Sequence, residues 1–404
     1  MHDYQTHYSS INNKRLLIAA QALFVCCSAI GLTLSGLVGS LLAPSKEWAT
    51  LPFALLTVAT AISTLSVSQA MSRHGRRPLF IAGSLCGVAG GGLAALAIVQ
   101  SSFITFCAAN MLLGVFQACA QYYRFAVSEV VTAEARSRAV GHVVAAGLFA
   151  AVVGPTLATW ARDVFAPHTF AGSYLAVLLL ALASASILWS LRLGKPAIVN
   201  SVLQRDSVWR VLRLPGFGTA AANAAVGYTV MIFVMTATPL AVVGCGLPIG
   251  AAGSVIQWHL LSMFAPGLFS GKIVARWGSS RVMQLGALLF ALGCGVAIAG
   301  SSLPHFGIAL ALNGLAWNLM YVAATHALTQ ALEHQKPQDR ALGQSISEFL
   351  TFTMVALGSL LAGAVLNRLG WSSVNVVVLP LLVLSILMTL WHAQSQKPQA
   401  AMQS

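Results

Sequence analysis

Long apolar runs separated by short polar ones set the rhythm of this chain. They lie near 16–41, 48–71, 78–99, 104–130, 137–160, 170–191, 214–243, 250–274, 282–301, 305–331, 342–366 and 373–391. Each is close to the ~20 residues or more that an α-helix needs to cross a ~30 Å hydrocarbon core. A segment inside lipid must pair its own backbone groups, which a helix does without help. The pattern therefore predicts an all-α membrane protein of twelve transmembrane helices. The first run follows a polar start of about 15 residues and exceeds the length of a signal-peptide core, so it is expected to remain as the first helix.

Composition agrees: 57% of the 404 residues are hydrophobic, 8% are charged and the mean hydropathy is +0.80, where a soluble domain carries roughly a quarter charged residues. A net charge of +13 raises the question of nucleic acid, and its distribution answers it. With the N-terminus inside, eighteen of the 22 basic residues fall in loops on the inner side. Three (Lys46, Arg162 and Arg368) fall outside, and Arg124 lies within a span. That bias places both termini in the cytoplasm and leaves no reason to invoke nucleic acid. The cysteines, mostly within spans and without a C-x-x-C pair, read as small core residues with no metal or disulfide implied.

The chain also repeats itself. "SQAMSRHGRRPLF" (68–80) follows the second run and "GKIVARWGSSRVM" (271–283) the eighth; at an offset of 203, Arg73 meets Arg276, Gly75 meets Gly278 and Asn110 meets Asn313. "SRAVG" (137–141) and "DRALG" (339–343) match at 202. A period of half the chain predicts two six-helix halves, 1–192 and 214–404, with a site at their interface near the midplane. Between them, 193–213 reads as a cytoplasmic linker whose "VWRVLRL" forms a short amphipathic helix on the membrane surface.

The 6+6 pattern, the G-x-x-x-D-R-x-G-R-R-like loop after span 2, its degenerate copy after span 8 and Gly154-Pro155 in span 5 together resemble the major facilitator superfamily. "YYRFAVSE" (122–129), "GPTLATWARD" (154–163), "QWHLLSMFAPGLFSG" (257–271) and "GWSSVN" (370–375) look like a bacterial branch of its permeases. The resemblance implies a multi-pass inner-membrane secondary transporter, monomeric and without a cofactor. It implies that the loop of Arg73, Gly75, Arg76 and Arg77 is a cytoplasmic latch, with Arg76 facing Glu129 and with Arg276 and Gly278 as the second copy. Physically those arginines serve equally as topology anchors. Ser68 and Ser72 stand where the motif has glycine and an acid, which weakens the expected charge network. Gly154-Pro155 bends span 5; in the superfamily such a pair is frequent among exporting antiporters.

Arg124 sits in "QACAQYYRFAVSEVV" (117–131), an otherwise uncharged stretch up to Glu129. A charge at that depth costs several kcal/mol unless it faces protein or water. Asn110, Gly114, Gln117, Gln121, Arg124 and Ser128 follow helical spacing and form one polar or small stripe. The stripe either packs against another helix or lines a water-filled cavity; in the superfamily span 4 lines the central cavity. There Arg124 has two uses: pairing with an anionic substrate group, or stabilising a protonatable carboxylate. The candidate acid is Glu348 in span 11, either a proton-coupling group or a solvated residue at a helix start. His259 is a second coupling or substrate candidate; its alternative is a bond to a backbone carbonyl.

Gln257 precedes it, and Asn313, Trp317 and Tyr321 in span 10, with Tyr122 or Tyr123, Asn223 and Tyr228, read either as packing or as an aromatic, hydrogen-bonding pocket for a flat or amphipathic organic molecule. Walker, G-x-S-x-G and H-E-x-x-H motifs are absent from the sequence, so neither an enzyme nor ATP drive is expected. The reading is an alternating-access carrier of a small organic solute, proton-coupled, with export first. Uptake of a nutrient, vitamin or other metabolite is the alternative, and a non-transporting sensor or scaffold the remote one.

Overall fold

The computed structural model describes residues 2–123, 126–127, 130, 136–193 and 205–401, and among them there is no strand. The first six helices are α1 (His2–Leu42), α2 (Leu51–His74), α3 (Arg76–Val99), α4 (Phe103–Ala120), α5 (Arg136–Trp160) and α6 (Ala171–Trp189). A short helix, α7 (Arg205–Leu212), precedes the second set: α8 (Phe217–Gly244), α9 (Ile249–Phe264), α10 (Ser270–Trp277), α11 (Ser279–Ala299), α12 (Leu303–Leu332), α13 (Pro337–Val376) and α14 (Leu379–Ala401). Among the described residues, eight helical stretches are long and apolar enough to span a membrane, and the last, Leu342–Gln394, is two spans joined at Gly370. With α2, α5 and the interrupted α9–α10 they make the twelve crossings of the 6+6 arrangement.

The punctuation follows from residue chemistry. Gly75 (φ 88°) and Gly278 (φ 80°) each end one helix and open the next, a left-handed geometry that glycine adopts without steric cost. Gly370 (φ 81°) does the same between the last two spans. The repeat extends into the packing. Gly83 and Gly90 on α3 face Cys119 and Ala109 on α4, while Gly286 and Gly293 on α11 face Met320 and Ala309 on α12. Small residues let backbones approach, which is how helices associate where lipid removes the hydrophobic drive.

The halves meet along α2 with α13 and α5 with α9. At the outer end the meeting is close. The Gly363 amide donates to Thr50 Oγ1 at 3.2 Å, Gly253 lies against Thr159, and Arg368 binds Glu47. Toward the cytoplasm the halves diverge. α7 is docked on the second half: Val211 is buried with Phe217, Leu328 and Leu332, and Arg210 Nη1 reaches Asp339 Oδ2 at 3.1 Å. Trp209 and Leu212 remain exposed.

Candidate substrate cavity

The divergence leaves a cavity of about 720 Å³ between the halves, lined among the described residues by α1, the end of α4, α5, α8, α9–α10, α12 and α13. It is closed above by the outer contacts and opens toward the cytoplasm. Its volume lies in the range that encloses an organic metabolite.

The second half supplies an aromatic wall. Trp317 and Tyr321, one turn apart on α12, stack with ring centroids 5.0 Å apart and planes 10° apart. Tyr228 on α8 stands edge-on to both, at 5.4 and 5.7 Å, and Phe352 on α13 closes the group at 5.9 Å. Edge-to-face and offset pairs at these spacings hold a rigid surface. At its rim the Tyr321 hydroxyl donates to Glu348 Oε1 at 3.4 Å. Asn318 donates through Nδ2 to the Met263 carbonyl at 2.9 Å; since a carbonyl only accepts, that bond fixes the amide's orientation.

The first half supplies a different wall. Gln21 and Ser28 on α1 and Gln117 and Gln121 at the inner end of α4 face the cavity beside Phe24, Val25 and Leu32.

Of the residues singled out from the sequence, Gln117, Gln121, Tyr228, Trp317, Tyr321 and Glu348 line this space. Arg124 and Glu129 lie outside the described residues, so the expected Arg124–Glu348 and Arg76–Glu129 approaches lie there too. Six others sit outside the lining. Asn110 accepts from Ser35 Oγ at 3.1 Å and donates to the Phe106 carbonyl at 2.9 Å, joining α4 to α1. Tyr122 donates to the Thr64 carbonyl of α2 at 3.1 Å. Asn223 bonds Ser385 and Thr389 at 2.7 and 3.1 Å, tying α8 to α14. His259 is fully buried, its Nδ1 2.9 Å from the Leu310 carbonyl of α12. Asn313 is buried on α12 with no hydrogen-bond partner for its Oδ1 among the described residues, and Gln257 is half-buried beside the exposed Trp258, both outside the lining.

In the loop, Arg73 and Arg276 are exposed, Arg76 is half-buried, and Arg77 donates to the Trp189 carbonyl at the end of α6, a cation at a helix C-terminus. Gly154 packs against Ala29 and Cys26 of α1, and the Pro155 carbonyl accepts from Thr159.

Sequence reasoning passed over Gln21, Ser28, Gln344, Ser347 and Thr351. The last three, with Glu348, follow the 3–4 spacing that marked α4, so the same stripe count applied to span 11 finds them.

The Major Facilitator Superfamily model matches residues 16–278 and 246–403. The chain belongs to that superfamily. It is 36% identical over 371 residues to the riboflavin transporter RfnT of Brucella anthropi, covering 91% of this chain and 92% of that one. It is 26% identical over 378 residues to the MFS-type transporter YdeG of Bacillus subtilis, covering 89% and 87%. Among solved structures, the human organic anion transporter MFSD10 superposes with a TM-score of 0.71 over 94% of this chain and 99% of that one at 15% identity, which is a likeness of fold. The chain is accordingly a membrane transporter of the bacterial inner membrane and not an enzyme.

Proposed function

We propose that the chain takes up a flat, polar heteroaromatic metabolite of the riboflavin type. It does so by alternating access of two bodies, 1–192 and 214–404, joined by the linker 193–213. The observation that carries this reading is the rigid Tyr228–Trp317–Tyr321–Phe352 wall facing the glutamine wall across about 720 Å³, a space with one surface for a ring face and one for a polar edge. The likeness to RfnT over nine-tenths of both chains supports the same substrate class. Uptake is taken over the export suggested by Gly154-Pro155, because those residues are occupied in packing α5 against α1 and α9, a role without direction.

Protons are the proposed coupling ion and Glu348 the proposed coupling group. Glu348 lines the cavity on the helix whose far end carries the outer contacts, so a proton there biases the helix that closes the opposite side.

The test is radiolabelled riboflavin influx into a riboflavin-auxotrophic bacterium lacking its own carrier. Saturable influx that requires the chain and falls when the proton gradient is collapsed supports the reading. Outward movement from preloaded cells, with no influx, would instead establish export, and no movement of any flavin overturns the substrate class.

A further inference from the structure

We infer that Gln117 and Gln121 select the substrate by reading a ring edge on which N–H stands beside C=O, an imide or lactam; the inference rests on the riboflavin-type reading above. The two carboxamides lie four residues apart on α4, half-buried and facing the cavity. Among the described residues neither side chain has a hydrogen-bond partner, nor does Gln21 beside them. Two asparagines away from the cavity are tied down instead: Asn110 to Ser35 and the Phe106 carbonyl, Asn223 to Ser385 and Thr389. A polar group withdrawn from bulk water is costly without a partner. The glutamines are therefore polar groups of this wall available to a solute, with the Ser28 hydroxyl on α1 beside them.

The kind of solute follows from the group. A carboxamide presents one acceptor oxygen and two N–H donors on one terminus. A lactam edge meets it with a matching N–H and C=O, forming two antiparallel hydrogen bonds. A carboxylate edge would set acceptor against acceptor, and a hydrocarbon edge would leave both glutamine groups unpaired. Four residues of helix separate the two amides by roughly 6 Å, so one reads the imide and the other the next polar position along the ring. Opposite, the stacked Trp317 and Tyr321 offer the flat surface. One molecule with its face on the second half and its edge on the first contacts both bodies, which ties recognition of the edge to the relative position of the halves.

The test uses the full chain in lipid nanodiscs and flavin-fluorescence titration with riboflavin and N3-methylriboflavin, in which the imide N–H is replaced by N–CH₃. The wild-type protein is expected to bind the methylated flavin at least about tenfold more weakly, since a site built to hydrogen-bond rejects an analogue lacking the group. Gln117→Met and Gln121→Met keep length and shape while removing the hydrogen bonds. At least one should weaken riboflavin about tenfold and bring the riboflavin to N3-methylriboflavin ratio close to one. Trp317→Leu should weaken both flavins by the same factor and keep the ratio.

If wild type binds riboflavin but shows no preference, or if the preference survives in both methionine variants, the edge-reading role is overturned while the substrate class stands. If wild type binds neither flavin, the substrate class falls and the edge-reading with it. The wild-type ratio needs no variant to fold.

Discussion

Arg368 holds Glu47 through both carboxylate oxygens, Nε to Oε1 at 3.0 Å and Nη2 to Oε2 at 2.8 Å. The two residues belong to different halves, the end of the first span of α13 and the loop after α1. Beside them Thr50 accepts from the Gly363 amide. The fork-to-carboxylate geometry gives direction as well as attraction, and the pair exists only while the outer ends are together.

The hydrogen bond from Arg368 holds the Glu47 carboxyl below its ordinary range. A carboxylate lowered in one state stabilises that state above its ordinary pKa, near 4.3, and the contribution is lost as pH falls through the lowered value. Outer closure should thus be insensitive to pH from neutrality to about 5 and weaken only in stronger acid. Glu47→Gln should already show a larger outward-open population at neutral pH. Spin-label distances across the outer ends check both; an unchanged distribution in Glu47→Gln would remove the pair from the closing mechanism.

Gly363→Val should hinder outer closure. A Cβ at this position would sit 2.6 Å from Thr50 Oγ1 and 2.9 Å from its Cγ2, and overpacking of this kind costs about 1–3 kcal/mol. Acting on the closed state alone, that energy shifts the equilibrium away from it by roughly fivefold to 150-fold, with transport falling accordingly. Thr50→Ala combined with Gly363→Ala should restore much of it, and the same distance measurement together with influx decides.

His259→Leu should act on stability and not on coupling. The Leu310 carbonyl accepts, so Nδ1 carries the proton, and the bond joins α9 to α12. Its loss is expected to cost about 1–3 kcal/mol, seen as a lower thermal midpoint in detergent, with the pH profile of influx unchanged. A shifted pH profile would return His259 to the coupling machinery.

Glu348→Gln should separate exchange from accumulation. With the proposed coupling proton removed, uptake against a gradient should fall on the order of tenfold or more, while one-for-one exchange of riboflavin across proteoliposomes persists. Equal loss of both would mark Glu348 as a substrate contact instead.

The membrane-spanning helices, their orientation and the half-chain repeat were legible in the sequence because their causes are local. Apolar length decides whether a segment crosses, loop charge decides which way, and the positive φ at Gly75 and Gly278 depends only on the residue and its turn. The cavity was legible in part. The α4 stripe marked one continuous polar face, yet its outer members Asn110 and Gly114 pack on α1 and α2 while Gln117 and Gln121 face the cavity.

His259 and Asn223 carried the same signal as the residues that line the site, polar groups inside apolar spans, and turned out to be fastened to Leu310, Ser385 and Thr389. Nothing in helical periodicity distinguishes a polar face that meets another helix from one that meets a cavity, because both escape lipid. That difference is set by where helices far apart in sequence meet. The outer contacts at Thr50–Gly363 and Glu47–Arg368 draw the halves together at one end, and the polar positions left between their diverging inner ends become the site.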